Sequence, residues 1–375
     1  MVYTYTVGTE GSNQEIKPKK DSKKVLWIIL VLLILAGVSF GAGILIAEKF
    51  PQLKGYFKFE KTLKENEAVI DDTNLTGNAS EVKENQTSEP EIKVEEIKIE
   101  KPEKNVPEPV KFNFAIVGDT QYFKPGSNGS FQRAVANIKK MNVDLIMSEG
   151  DLVSSCKGSD CVAKLNSWKS VLGDLASKTY PTQGNHDLTG KESVDQSWQN
   201  VFNLPTNGPA GFSELAYSFD FQNSHFVVLD SEKPDEHIVN DAQRSWLEKN
   251  LTANKKENTF VFFHEPAYPV SSKMDESLDV KSEDRNALWN ILTAHKVTAV
   301  FNGHEHIHSR RKVNGVYQFV FGNTNSFNHD MPKTGIAEYA YRGENFGIIK
   351  IEGKKITVEV YSVDGNILNT FTFSN

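Results

Sequence analysis

FNFAIVGDTQ, residues 112–121, decides the fold. An apolar run of strand length stops at a glycine and passes directly to an aspartate and a glutamine. That is the pattern of a buried strand delivering polar groups at the edge of a sheet. The construction recurs as VDLIMSEGD (143–151), YPTQGNHD (180–187), TFVFFHE (259–265) and TAVFNGHEHIH (298–308). Together these clusters supply Asp119, Gln121, Asp151, Asn185, His186, His264, His304 and His306. Hard and borderline divalent ions take carboxylate, amide-oxygen and imidazole ligands. One such cluster alone reads as a capped turn or a satisfied core residue; five in this order predict a metal site.

Working outward, apolar strands alternate with helical patterns from Lys111 onward, which predicts an α/β domain over residues 111–375. Helical periodicity falls at 131–141, 161–175 and 285–295, and at 241–251, where Asp241 is the expected N-cap. AYSFDF and HFVVLD, joined by Gln222-Asn223-Ser224, form an expected hairpin. VYQFVFG, FGIIKIEG, KITVEVYS and ILNTFTF make the tail almost wholly strand, and no internal repeat is evident. His225 and His295 read as ordinary strand and helix residues.

The N-terminal third has a different character. Val25–Ala47 is uncharged and apolar, long enough to cross roughly 30 Å of hydrocarbon as a helix. Lys17, Lys19, Lys20, Lys23 and Lys24 precede it, so residues 1–24 are expected in the cytoplasm and the remainder outside a cell membrane, anchored by a single pass. Secretion after signal-peptide cleavage near Gly41-Ala42-Gly43 is the alternative. Residues 48–110 are charge-mixed and poor in aromatics, as expected of a flexible stalk, and the alternating stretch Ile92–Ile99 reads as an extended part of it. A net charge of -7 leaves no footprint for nucleic acid. Cys156 and Cys161, the only cysteines, lie in one short loop; outside the cytoplasm a disulfide is expected, with free thiols the alternative.

Two divalent ions about 3.5–4 Å apart can clamp a phosphoryl group if one carboxylate bridges them, and Asp151 is the candidate bridge. At this point the ordered motifs resemble the calcineurin-like metallophosphoesterase family, which includes the purple acid phosphatases, over nearly all of 112–373. The resemblance implies a four-layer α/β/β/α sandwich. It also implies two divalent ions (manganese, iron or zinc), one held by Asp119, Gln121, Asp151 and His306 and the other by Asp151, Asn185, His264 and His304. His186 would contact the phosphoryl oxygens or protonate the leaving oxygen, with Asp187 orienting its imidazole. The implied function is hydrolysis of phosphomonoesters by a metal-bound hydroxide. The alternatives are a phosphodiesterase acting on nucleotides or lipid head groups, and a surface binding module with weak or no catalysis.

Two positions depart from the family. Gln121 stands where the first motif usually carries histidine, which weakens the first metal's hold. Ser154 stands where purple acid phosphatases place an iron-binding tyrosine, so no tyrosinate-iron colour is expected. His308 and Arg310 are candidate substrate-phosphate contacts, and Glu265, Tyr268, Asn323 and His329 fall in loops near the motif strands.

Overall fold

The computed structural model describes residues 108–157, 159–188, 194–331 and 335–375. The expected cytoplasmic segment, the membrane span Val25–Ala47 and nearly all of the stalk lie outside the described residues. Among the described residues no helix is long and apolar enough to cross a membrane.

Two mixed sheets form the domain. The first contains β1 (Lys111–Val117), β2 (Leu145–Ser148), β3 (Thr179–Pro181), β11 (Asn345–Glu352), β12 (Lys355–Ser362) and β13 (Ile367–Ser374), in the order β13-β12-β11-β1-β2-β3. The second contains β4 (Tyr217–Phe221), β5 (Ser224–Val228), β6 (Asn258–Phe262), β7 (Ala299–Asn302), β8 (His308–Val313), β9 (Val316–Phe321) and β10 (Tyr339–Tyr341), in the order β10-β8-β9-β7-β6-β5-β4. The helices are α1 (Ser130–Lys140), α2 (Cys161–Leu172), α3 (Val194–Gln199), α4 (Asp241–Ala253) and α5 (Ser282–Ala294). The strands that carry the motifs run parallel within each sheet: β1 with β2 and β2 with β3, then β6 with β7. Their polar extensions therefore emerge at the carboxyl edge of each sheet.

Alternation along the strands builds the layers. Phe114 in β1 reaches across to the second sheet, with ring centroids 5.4 Å from Phe226, 5.5 Å from Phe260 and 6.1 Å from Phe301. The intervening residues of that sheet, Val227, Val261 and Val300, join a separate core with Leu247 and Leu251 of α4 and with Leu288, Trp289 and Leu292 of α5. Side chains of β5, β6 and β7 are thus buried on both faces, one toward the other sheet and one toward helices. α1 and α2 pack on the first sheet, where Phe131 stacks on Trp168 at 5.7 Å. Helix, sheet, sheet, helix is the expected four-layer arrangement.

Several local expectations are corrected. The cap of α4 is Asn240 rather than Asp241, because the Asn240 side chain accepts the Gln243 N–H. β8, β10 and α3 have no counterpart in the sequence reading; β8 is polar, and what makes it a strand is pairing with β9 and β10. The hairpin turn is Gln222-Asn223, with Gln222 at φ 53°.

Candidate metal centre

The motif strands end in strained backbone. Asp119, Asp151, His304 and His306 all have positive φ, at 50°, 52°, 66° and 34°. L-residues adopt such angles at a cost of about 1–3 kcal/mol each, and they persist where surrounding structure over-determines them, commonly at functional sites. Two glycines permit the close approach. A Cβ on Gly184 would lie 2.4 Å from Asp151 Oδ1, and one on Gly303 would lie 2.5 Å from Asp119 Oδ2.

Around one centre stand Asp119, Gln121, Asp151 and His306, and a candidate metal site is present there. One ligand atom each from Asp119, Asp151 and His306 lie within 4.8 Å of one another, all buried. His306 Nε2 is 3.1 Å from Asp119 Oδ1, and the His304 N–H donates to the same carboxylate at 3.0 Å. Burial, with Asp151 adding to it, pushes the Asp119 carboxyl well above the usual carboxylate range. Burial brings His306 down to about 4, so its imidazole is neutral. Gln121 Nε2 stands 3.3 Å from Asp151 Oδ2 and 3.2 Å from His306 Nε2, and its amide oxygen has no partner among the described residues. The amide thus presents nitrogen, not the expected oxygen, to the centre; rotation by half a turn exchanges the two.

The second group is Asp151, Asn185, His264 and His304. His264 Nδ1 donates to the Glu149 carbonyl at 2.6 Å, which turns Nε2 inward, 3.1 Å from Asn185 Oδ1 and 3.5 Å from Asp151 Oδ1. His304 Nε2 donates to the Glu276 carbonyl at 2.8 Å, leaving Nδ1 facing Asn185 Oδ1 at 3.2 Å. Burial lowers the His304 pKa strongly, so this ring too is neutral. Carbonyl partners that fix the far nitrogen of each ring are the support metal-ligating histidines receive. Asp151 joins the groups, with Oδ1 toward the second and Oδ2 toward the first.

His186 borders the centre and is partly exposed. Its N–H donates to Asp151 Oδ1 at 2.9 Å, and its ring Nδ1 donates to the Ser154 carbonyl at 2.8 Å, which leaves Nε2 3.9 Å from Asp151 Oδ2. Ser154 therefore orients this imidazole through its backbone. Asp187 does not take the expected role. Its carboxylate accepts the N–H groups of Leu152 at 2.9 Å, Val153 at 3.1 Å and Gly184 at 3.0 Å, so it braces the loop after Asp151. Cys156 and Cys161 are joined by a disulfide in the same region.

The structure gives the expected substrate contacts other partners. His308 is buried against Phe321 at the start of β8, and burial brings its pKa to about 3. Arg310 lies over the Phe371 ring, 3.6 Å from its centroid, and donates to Glu338. Tyr268 packs on Trp289 beneath Arg285 and Arg311. Asn323 donates to the His306 carbonyl, Glu265 pairs with His237 at 2.8 Å, and His329 stacks on His306 at 4.1 Å.

Sequence reasoning missed three groups. His237 carries no motif signal. Lys273 pairs with Glu276 at 2.7 Å, and its positive charge adds to burial in holding His304, His306 and His329 neutral. Phe327 stands edge-on to His306, with centroids 4.6 Å apart. Lys273 lies in the segment that follows the β6 motif, and Phe327 in the loop after β9, which carries no motif.

Residues 112–308 match the family model for calcineurin-like phosphoesterases. Tartrate-resistant acid phosphatase type 5 of Sus scrofa is 23% identical over 304 residues, covering 71% of this chain and 87% of that protein. A probable cyclic nucleotide phosphodiesterase of Vesicomyosocius okutanii is 26% identical over 178 residues, covering 47% of this chain and 68% of that protein. The solved purple acid phosphatase PPD1 of Lupinus luteus shares the fold with a TM-score of 0.60 at 16% identity, over 71% of this chain and 54% of the lupin chain.

Proposed function

The chain belongs to the calcineurin-like phosphoesterase family and is a hydrolase, and from that premise we propose that it hydrolyses phosphomonoesters at a binuclear metal centre. The observation that carries this reading is a convergence of polar groups. His304 Nδ1, a lone-pair nitrogen, and Asn185 Oδ1 face each other at 3.2 Å, with Asp151 Oδ1 and His264 Nε2 turned to the same point. Buried acceptors so arranged repel unless a cation lies among them. The first group adds the buried Asp119 carboxyl beside Asp151, the neutral His306 imidazole and the Gln121 amide oxygen, which has no partner among the described residues. Both donor sets fit a divalent ion such as manganese, iron or zinc.

Asp119, Gln121 and His306 would hold one ion, Asn185, His264 and His304 the other, and Asp151 both. Bound there, the ions supply Lewis acidity to the phosphoryl oxygens and acidify water. The protein's own groups do the rest. The His186 N–H fixes the Asp151 carboxylate, and the Ser154 carbonyl fixes the His186 ring so that Nε2 can carry a proton to the leaving oxygen. Lys273, whose charge bears on His304 and His306, would serve a phosphate oxygen on leaving its pair with Glu276. Phosphodiester hydrolysis has one support, the description of the Vesicomyosocius relative.

Purified full-length chain supplied with manganese, zinc or iron(II) is to be assayed on phenyl phosphate and diphenyl phosphate. Faster release from the monoester is expected, with a loss of about 10²–10⁴-fold in His186→Ala. Preference for the diester would move the reading to the alternative. No turnover of either ester with both ions bound would overturn it.

The same reading puts the domain outside a membrane on the anchor Val25–Ala47, supported by the lysines before that segment and by the disulfide. Protease treatment of intact cells should release the domain; an uncut domain would contradict this placement.

A further inference from the structure

Tyr122 and Phe327 are 45% and 55% exposed, unusual for large aromatic side chains at the margin of a buried polar centre. Their rings lie 5.8 Å apart at 42°. Phe327 also stands 5.2 Å from the His329 ring, which itself stacks on His306 at 4.1 Å and 21°. Four rings therefore run from the candidate metal ligand His306 out to solvent.

The backbone beneath them is fixed. Tyr122 N–H donates to the Asn325 carbonyl at 3.3 Å, Asn325 N–H donates to the Asp119 carbonyl at 3.1 Å, and Asn325 Oδ1 accepts the Phe131 N–H at the start of α1. The segment carrying Asp119 and Gln121 is thus stitched to the one carrying Phe327 and His329. His329 Nδ1 has no hydrogen-bond partner among the described residues, which leaves a polar group beside the rings. Two exposed rings fall far short of the roughly 800 Å² per partner that a protein interface buries. Inclined 42° to each other, they can offer a ring face and a ring edge to one planar ring, contacts that form with centroids about 4.5–7 Å apart.

We propose that Tyr122 and Phe327 form a platform that stacks a flat aromatic leaving group, a nucleobase or an aryl ring, on the ester whose phosphoryl end lies at the metal centre. The proposal rests on the phosphomonoesterase reading above and names the substrate class for it. A platform on the His306 side selects what the phosphate is attached to without touching phosphorus, so its effect is read in substrate preference.

Adenosine 5′-monophosphate and ribose 5-phosphate share the bond that breaks and differ in the base. With the metal-supplied full-length chain, kcat/KM for the nucleotide should exceed that for the sugar phosphate by about tenfold or more. Tyr122→Ala and Phe327→Ala should each bring the ratio toward one, whereas Ile367→Ala, an exposed apolar change on β13, should leave it alone. Phenyl phosphate is the second arm. If the platform variants slow phenyl phosphate but not the nucleotide, the ligand is an aryl ring. If they slow neither, or if the wild-type ratio is already near one and phenyl phosphate is unaffected, the platform is overturned. Should no monoester be turned over at all, the hydrolytic reading fails first. Calorimetric binding of adenosine 5′-monophosphate then decides the platform: about tenfold weaker binding in the two variants sustains it, and equal binding refutes it.

Discussion

Asp151 accepts the His186 N–H with one oxygen while its other oxygen faces Gln121, so a single side chain couples the two acceptor groups and the candidate proton donor. Gln121 is the weak point of that arrangement, because an amide must rotate to offer oxygen whereas an imidazole offers a fixed lone pair. Gln121→His should therefore tighten binding of the ion in the first group by about tenfold, measured by metal titration. Unchanged affinity would show that the amide already binds through oxygen. The candidate ligand residues were legible because each follows an apolar run that folds as a strand. Asp187 was not. Its place beside His186 in sequence suggested a contact with that ring, but the short 3-10 turn Asn185–Asp187 aims its carboxylate back at the Leu152 and Val153 N–H groups.

Loops, more than strands, hold the centre together at the scale of elements. Removing the Asp187 carboxylate orphans three buried N–H groups, each costing about 1–3 kcal/mol. Asp187→Ala should lower the melting temperature markedly, while kcat in the fraction that stays folded falls far less than in His186→Ala because His186 is oriented by Ser154 instead. A loss of kcat equal to that of His186→Ala with unchanged stability would restore the role first expected of Asp187. β8 shows why part of the fold was illegible. HSRRKV has no apolar alternation, yet Arg310 is covered by Phe371 of β13, and His308 by Phe321 of β9 and Tyr339 of β10. Partners more than ten residues away in sequence leave no local pattern to read.

On the scale of the whole molecule, two sheets meet face to face and bring their carboxyl edges to one place, the first delivering Asp119, Asp151 and Asn185 and the second His264, His304 and His306. Phe114 lies at the middle of that seam. Phe114→Ala should cost about 3–5 kcal/mol and weaken metal binding as well, since β1 carries Asp119. Denaturant unfolding and metal titration on the same variant check both; stability lost with metal affinity intact would separate the seam from the centre. Alternating strands and helices revealed the fold class in the sequence. The insertion of β9 between β7 and β8, and the meeting of Tyr122 with Phe327, depend on tertiary pairing that no local pattern encodes. Asp151 faces both acceptor groups, one oxygen to each, and metal stoichiometry by elemental analysis is the direct test of whether this carboxylate joins two ions. About two equivalents per chain are predicted for the wild type, about one for His304→Ala and for His306→Ala, and near none for Asp151→Ala. A wild type that saturates at one equivalent, or an Asp151→Ala chain that still holds two, would contradict it.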